Sequence, residues 1–205
     1  MTSQKIVKWR ENIRYVQRGE FDSRFESRLI GTQYVGESDA FMGPKSPVII
    51  TGTTKASIYE LKIAADIAKN EFKKSKNIIT TGSHGVEEYV MKMVAHFQGQ
   101  QAVFIVSPLR SPTPSENIWL FEMILKHKGA IISTPNCELP DESIMLRNQI
   151  MVYLSDNLVI VSAKPNSGSI NILEESLKQK KPVYVVDYPP NDFLFARYPV
   201  EEYKF

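Results

Sequence analysis

With 205 residues, 42% of them hydrophobic and 23% charged, the chain holds enough apolar material to bury one core, alone or with a small extension, and its composition excludes a disordered or low-complexity protein. A formal net charge of only +2 excludes a globally polycationic nucleic-acid binder, so such a function has to rest on a local basic surface. A single cysteine, Cys137, excludes an internal disulfide and has no Cys or His at metal-ligand spacing; no run is long and apolar enough for a signal peptide or membrane span, so a soluble cytoplasmic protein is expected.

Residues 1–46 are the more polar part. Lys5 to Arg18 reads as a basic helix with Ile6, Trp9, Ile13 and Val16 along one face, expected to pack that stripe on the rest of the molecule. Gly31 to Pro47, rich in Gly, Pro and Ser, reads as a connecting loop. From Pro47 the pattern becomes regular. The apolar strand Val48-Ile49-Ile50 runs into Gly52-Thr53-Thr54-Lys55 and a helix from Ile58 to Lys73. Strand Asn77–Thr80 leads into Gly82-Ser83-His84-Gly85 and a helix through Met93 to Phe97. A third strand, Ala102–Val106, precedes a helix from Pro114 to Lys126; a fourth, Gly129–Ser133, precedes a helix from Asp141 to Leu154. Two β-branched runs, Asn157–Val161 and Pro182–Val186, then flank the turn Lys164-Pro165-Asn166-Ser167-Gly168-Ser169 and a helical pattern carrying Ile170, Leu173 and Leu177.

Strands alternating with helices predict an α/β domain with a mostly parallel sheet. Continuous rather than alternating apolar strands predict helices on both faces. In such sheets ligands bind at the carboxyl ends of the strands, so the loops at Gly52, Gly82, Arg110 and Ser167–Ser169 are expected to gather at one edge.

The chemistry available at that edge suits phosphate. Gly52-Thr53-Thr54-Lys55 combines close backbone approach, hydroxyls and a cation. Gly82-Ser83-His84-Gly85 is a second small-residue turn at a helix start. Ser167-Gly168-Ser169 opens a helix whose first N–H groups and dipole favour an anion, although Ser is also an ordinary N-cap. Arg147-Asn148 lies on the preceding helix. Neither the dinucleotide fingerprint nor the P-loop pattern occurs, so no nicotinamide or ATP cofactor is expected. No catalytic constellation and no metal site can be assembled: His84 stands alone, and the members of the adjacent pairs Glu87-Glu88 and Glu174-Glu175 point in different directions, so that either one of each faces the site or both are solvated helix surface.

Five segments in order resemble the DNA-processing protein A (DprA/Smf) family. They are Gly52-Thr53-Thr54-Lys55-Ala56-Ser57; Thr81-Gly82-Ser83-His84-Gly85-Val86-Glu87; Thr113-Pro114-Ser115-Glu116-Asn117; Arg147-Asn148-Gln149-Ile150; and Ser167-Gly168-Ser169 with Lys181-Pro182-Val183. The resemblance implies a Rossmann-like domain, here residues 47–205 with a short C-terminal tail, behind an N-terminal extension and connecting loop over 1–46. It also implies sequence-independent single-stranded DNA binding in support of a RecA-type recombinase, a homodimer, and a DNA-backbone site at Gly52 to Lys55, Gly82 to Gly85, Arg110, Arg147-Asn148 and Ser167 to Ser169.

Three positions depart from the family pattern. Lys55 stands where arginine is usual, Gln149 replaces a second arginine, and Glu87 replaces aspartate. The tail after the last strand, Asn191 to Phe205, is too short for a C-terminal winged helix. The same superfamily includes LOG-like nucleoside-monophosphate phosphoribohydrolases, which the turn Pro165 to Glu174 resembles without the second glycine and without the well-placed glutamate, Glu174 lying one turn on. A LOG-like nucleotide-binding protein, either phosphoribohydrolase or nucleotide sensor, is therefore the alternative.

Overall fold

The computed structural model describes residues 9, 12–16, 31–45, 47–134 and 140–205. Nine strands form one sheet: β1 (Arg14–Tyr15), β2 (Gln33–Gly36), β3 (Pro47–Thr51), β4 (Asn77–Thr80), β5 (Gln101–Ile105), β6 (Ala130–Ser133), β7 (Asn157–Ile160), β8 (Val183–Val185) and β9 (Glu201–Glu202). Among the described residues seven helices pack on it: α1 (Asp39–Met42), α2 (Ile58–Lys73), α3 (Val86–His96), α4 (Ile118–Lys126), α5 (Pro140–Leu154), α6 (Gly168–Lys178) and α7 (Asp192–Arg197). The strand order is β1-β2-β6-β5-β4-β3-β7-β8-β9. From β6 to β9 every neighbouring pair is parallel, and only β1–β2 and β2–β6 are antiparallel. The architecture is the Rossmann-like α/β fold that the alternation of elements predicts.

The strands are apolar throughout because both faces are covered. Ile49 and Ile79, paired in register across β3 and β4, face α5 and α6, where Ile150, Met151, Ile170 and Leu173 meet them. Their neighbours Val48, Ile50 and Ile78 face α2 and α3 and bury Ile63, Ile67, Val90 and Val94. Farther along the same face, α4 packs Leu120, Phe121 and Ile124 against Val103 and Ile131. Helix α2 begins at Ile58, as expected, under a cap: Ser57 accepts from the Glu60 N–H, and the Glu60 carboxylate accepts from the Ser57 N–H.

The chain runs from β3 outward through β4, β5 and β6. It then returns to the other side of β3 with β7 and continues to β8 and β9. Loops leaving the carboxyl ends of β3 and β7 therefore part in opposite directions, and a crevice opens between them.

Several boundaries differ from the sequence reading. Gly31 to Pro47 is not merely a connecting loop: it supplies β2, which pairs with β6, and the short helix α1, whose buried Ala40 and Phe41 close one face of the core. Tertiary pairing organises a stretch whose Gly, Pro and Ser content signals only turns. Of the helix expected over Lys5 to Arg18, Arg14–Tyr15 is instead a strand paired with β2. Trp9 is buried with its Nε1 donating to the Leu109 carbonyl at 3.2 Å, and the rest of that helix, Asn12, Ile13 and Val16 aside, lies outside the described residues. Cys137 also lies outside them. The helix expected from Pro114 begins as a 3-10 turn, Ser115–Asn117, and becomes α-helical at Ile118. In the C-terminal tail, β9 pairs with β8, and the turn into α7 is anchored by buried Asn191, whose Nδ2 donates to the Val161 and Val186 carbonyls while its Oδ1 accepts from the Ala163 N–H. Among the described residues no helix is long and apolar enough to cross a membrane.

Candidate functional site

A cleft of about 310 Å³ occupies the crevice at the switch point. Its walls come from five parts of the fold. The loop after β3 supplies Thr51 to Lys55, and the loop after β4 supplies Thr81 and Ser83. Glu87 comes from α3 and Arg147 from α5, while Lys164, Ser167, Gly168, Ser169 and Ile172 come from the turn after β7 and the start of α6.

Two glycines let these walls meet. A Cβ on Gly52 would stand 2.7–2.8 Å from the Val86 side chain, so α3 packs directly on the first loop. Gly85 has φ +75°, and a Cβ there would collide with the backbone of Thr53 and Thr54; the Val86 N–H donates to the Thr53 carbonyl across this contact at 3.1 Å. Gly168 is different. A Cβ there would meet nothing within 4 Å and its φ is ordinary, so no protein neighbour demands glycine at the mouth of α6.

The start of α6 is open. Ser167 occupies the N-cap in an extended conformation, yet its side chain makes no capping bond. Its hydroxyl oxygen is buried and has no partner among the described residues. The N–H groups of Gly168 and Ser169, at the first two helical positions, have no acceptor within the helix. Ser169 is tied down instead, with its Oγ 3.3 Å from both the Thr51 Oγ1 and the Gly52 carbonyl. An anion placed against this end meets N–H groups, an unpartnered hydroxyl and the positive end of the helix dipole.

Three cations line the cleft: Lys55, Arg147 and Lys164. Among the described residues no carboxylate lies within 4 Å of any of them. Arg147 is not paired with Asp141 or Glu142 on its own helix; its Nε and Nη2 donate to the Oδ1 of Asn148 at 3.2 and 2.9 Å. Burial lowers the guanidinium's pKa from its ordinary value, and the negative charge of Glu87 opposes that shift. Burial costs a cation least when an anion neutralises it, which is a physical reason for a phosphate to settle beside Arg147.

Glu87 lies at the bottom of the cleft and is only 3% exposed. One carboxylate oxygen accepts the Thr51 hydroxyl at 2.6 Å. The other accepts the Thr81 N–H at 2.8 Å, the Thr81 hydroxyl, and the Ser83 N–H at 3.4 Å. It thereby ties the ends of β3 and β4 to α3. Of the two readings open for the Glu87-Glu88 pair, one facing the site or both on solvated helix surface, the structure shows the first: the positive-φ turn at Gly85 sets the helix phase so that Glu87 points inward and Glu88 outward.

Of the residues expected at the site, the structure brings together Gly52, Thr53, Thr54, Lys55, Ser83, Arg147, Ser167, Gly168 and Ser169. Five others do not line the cleft. Gly82 and Gly85 shape the turn before α3; a Cβ on Gly82 would stand 2.8 Å from Val103, and its carbonyl accepts from buried Asn117 at 3.0 Å. His84 is exposed and its Nδ1 lies 3.0 Å from Glu88. Asn148 is buried as the acceptor for Arg147, and Arg110 is exposed in a turn outside the cleft wall. Glu174, the carboxylate of the LOG-like alternative, is exposed and accepts from the Tyr198 hydroxyl at 3.1 Å, outside the cleft. Thr51, Thr81, Glu87, Lys164 and Ile172 complete the wall although the sequence reading does not place them there. A threonine ending each of two otherwise apolar strands, and a lysine opening the Ser167 turn, were signals within reach.

Comparison with known proteins bears on this arrangement. The family model described as DNA recombination-mediator protein A matches residues 34–196, most of the chain. The chain belongs to this family. A curated member, the DNA processing protein DprA of Bacillus subtilis, is 23% identical over 138 residues, covering 67% of this chain and 46% of that protein. The chain thus spans less than half the length of the curated relative it matches. Two solved family structures share the fold. DNA processing protein A of Helicobacter pylori, described for its single-stranded DNA binding mode, superposes with a TM-score of 0.75 at 20% identity, over 90% of this chain and 87% of that one. DprA of Streptococcus pneumoniae gives 0.76 at 14% identity, over 93% and 70%.

Proposed function

We propose that this chain binds single-stranded DNA without regard to sequence and without catalysis, seating backbone phosphates in the cleft between β3 and β7. The observation that carries the reading is the convergence of an open helix N-terminus with Lys55, Arg147 and Lys164, none of them paired to a carboxylate among the described residues. The cleft has room for a phosphate and its sugar but not for a duplex. Exposed Tyr59, whose ring centroid lies 5.3 Å from that of Tyr188, stands four residues beyond Lys55 and offers a face on which a base of any identity can stack. Family membership and the single-stranded DNA binding described for the H. pylori relative support the same reading. By the same membership we infer a cytoplasmic homodimer that acts in DNA recombination and supports a RecA-type recombinase, with residues 47–205 as the functional domain.

The test is a fluorescence-anisotropy titration with labelled oligonucleotides of different sequence at about 50 and about 200 mM salt. Binding at low salt that is indifferent to sequence and weakens steeply with salt is expected. A folded protein that binds no oligonucleotide at low salt would refute the proposal.

A further inference from the structure

The cleft carries a feature that a general anion site would avoid: a fixed carboxylate in its floor. Among the described residues, Glu87 is the one acidic residue on a wall that holds three cations. It occupies the donors that the ends of β3 and β4 would otherwise offer an anion, namely the hydroxyls of Thr51 and Thr81 and the N–H groups of Thr81 and Ser83. An incoming phosphate is left with the start of α6 and with Lys55, Arg147 and Lys164, and it meets a like charge behind them. A phosphodiester is a monoanion with two free oxygens. A phosphomonoester above its second pKa of about 6 is a dianion with three. The third oxygen would need the donors that Glu87 has taken, and the second charge would have to be dehydrated beside a carboxylate.

We infer that Glu87 is a specificity-determining residue: it makes the cleft accept phosphodiesters and reject phosphomonoesters, the terminal phosphate of a strand and the free nucleoside monophosphate alike. This rests on the proposed phosphate site and names which phosphate that site takes. The charged groups around Glu87 are Lys55, Arg147 and Lys164 in the cleft, with His84 and Glu88 paired on the exposed side of the same helical turn. All of them meet two matched probes alike, so the difference between the probes isolates the ligand's charge.

The probes are thymidine 5′-monophosphate and its methyl ester, competing with labelled oligothymidylate for the full chain. At about pH 7.5 the ester should displace the oligonucleotide about tenfold better than the monoester, and the gap should close as the pH falls below about 6 and the monoester becomes a monoanion. Glu87→Gln should narrow the gap at the higher pH. A monoester that competes as well as its ester at about pH 7.5, or a gap indifferent to pH, overturns the inference while oligonucleotide binding and its dependence on Arg147 still uphold the phosphate site. Should Glu87→Gln not fold, the wild-type pH profile decides alone. If the oligonucleotide itself does not bind, the phosphate-site reading fails and this inference falls with it.

Discussion

Replacing Arg147 by alanine separates a phosphate contact from a structural one. The three cations of the cleft, if each neutralises one phosphate of a single strand, set a slope of log affinity against log salt of about −2.1, so that raising salt fourfold weakens binding about 18-fold. Without Arg147 the slope should fall to about −1.4 and the same salt step should weaken binding only about sevenfold. The folded state loses the two donations to the Asn148 Oδ1 but no carboxylate pair among the described residues. The net cost is about 1 kcal/mol, or about 2–4 °C in Tm for a chain of this size. Lys55→Ala, an exposed side chain, should lower the slope by the same step and leave Tm unchanged. The assay is anisotropy at four or more salt concentrations alongside thermal unfolding of the same preparations. An unchanged slope in both variants refutes the assignment of these cations to phosphate. A large loss of Tm with the slope intact would show that Arg147 holds the fold together instead.

Three further outcomes follow from the packing. Gly52→Ala drives a methyl into Val86 and should cost about 1–3 kcal/mol in urea unfolding, whereas Gly168→Ala, with nothing within 4 Å, should be neutral or stabilising by up to about 1 kcal/mol and yet weaken DNA binding. Asn191→Ala leaves the Val161 and Val186 carbonyls and the Ala163 N–H without their partner at about 1–3 kcal/mol for each buried group, so unfolding should shift by at least about 3 kcal/mol. For Glu60, burial raises the carboxyl's pKa, but donation from the Ser57 N–H and hydroxyl, helped by the positive charge of Lys164, outweighs it and holds the value below the usual 4.5. Its stabilisation is present above about pH 4.5 and is lost as the pH falls through the lower folded value. Glu60→Gln should therefore be less stable at neutral pH and show a flatter loss in acid, read by thermal unfolding across that range.

The regular part of the chain was legible because its signals are local. Helix α2 and strand β4 have the limits that periodicity predicts, since a buried strand and an amphipathic helix each write their limits in neighbouring residues. The two edges of the sheet were not legible. Strand β2 lies in a turn-rich stretch and exists because β6 offers it an edge, and β9 is the charged pair Glu201–Glu202, apolar in neither residue. Edge strands take their order from a neighbour's hydrogen-bonding groups, which no local pattern records.

At the site the division has the same physical basis. Small residues and hydroxyls after an apolar strand identify Gly52 to Lys55 and Ser167 to Ser169 as an anion-binding edge, because backbone approach and open N–H groups are properties of the loop itself. The direction of a side chain is not. Arg110 and Arg147 are both cations near strand or helix ends, but only Arg147 reaches the cleft, since α5 crosses the sheet above the switch point while Arg110 sits in an exposed turn. Glu87 and Glu88 are adjacent in the chain and alike in chemistry. The turn at Gly85 rotates one into a bed of four hydrogen bonds under the cleft and leaves the other on the surface with His84 and Lys92. Residue types and spacing specify the donors, the cations and the fold that collects them; which charge ends up facing which is decided by the packing of α3, α5 and α6 around the ends of β3 and β7, because helix phase is set by contacts far apart in the sequence.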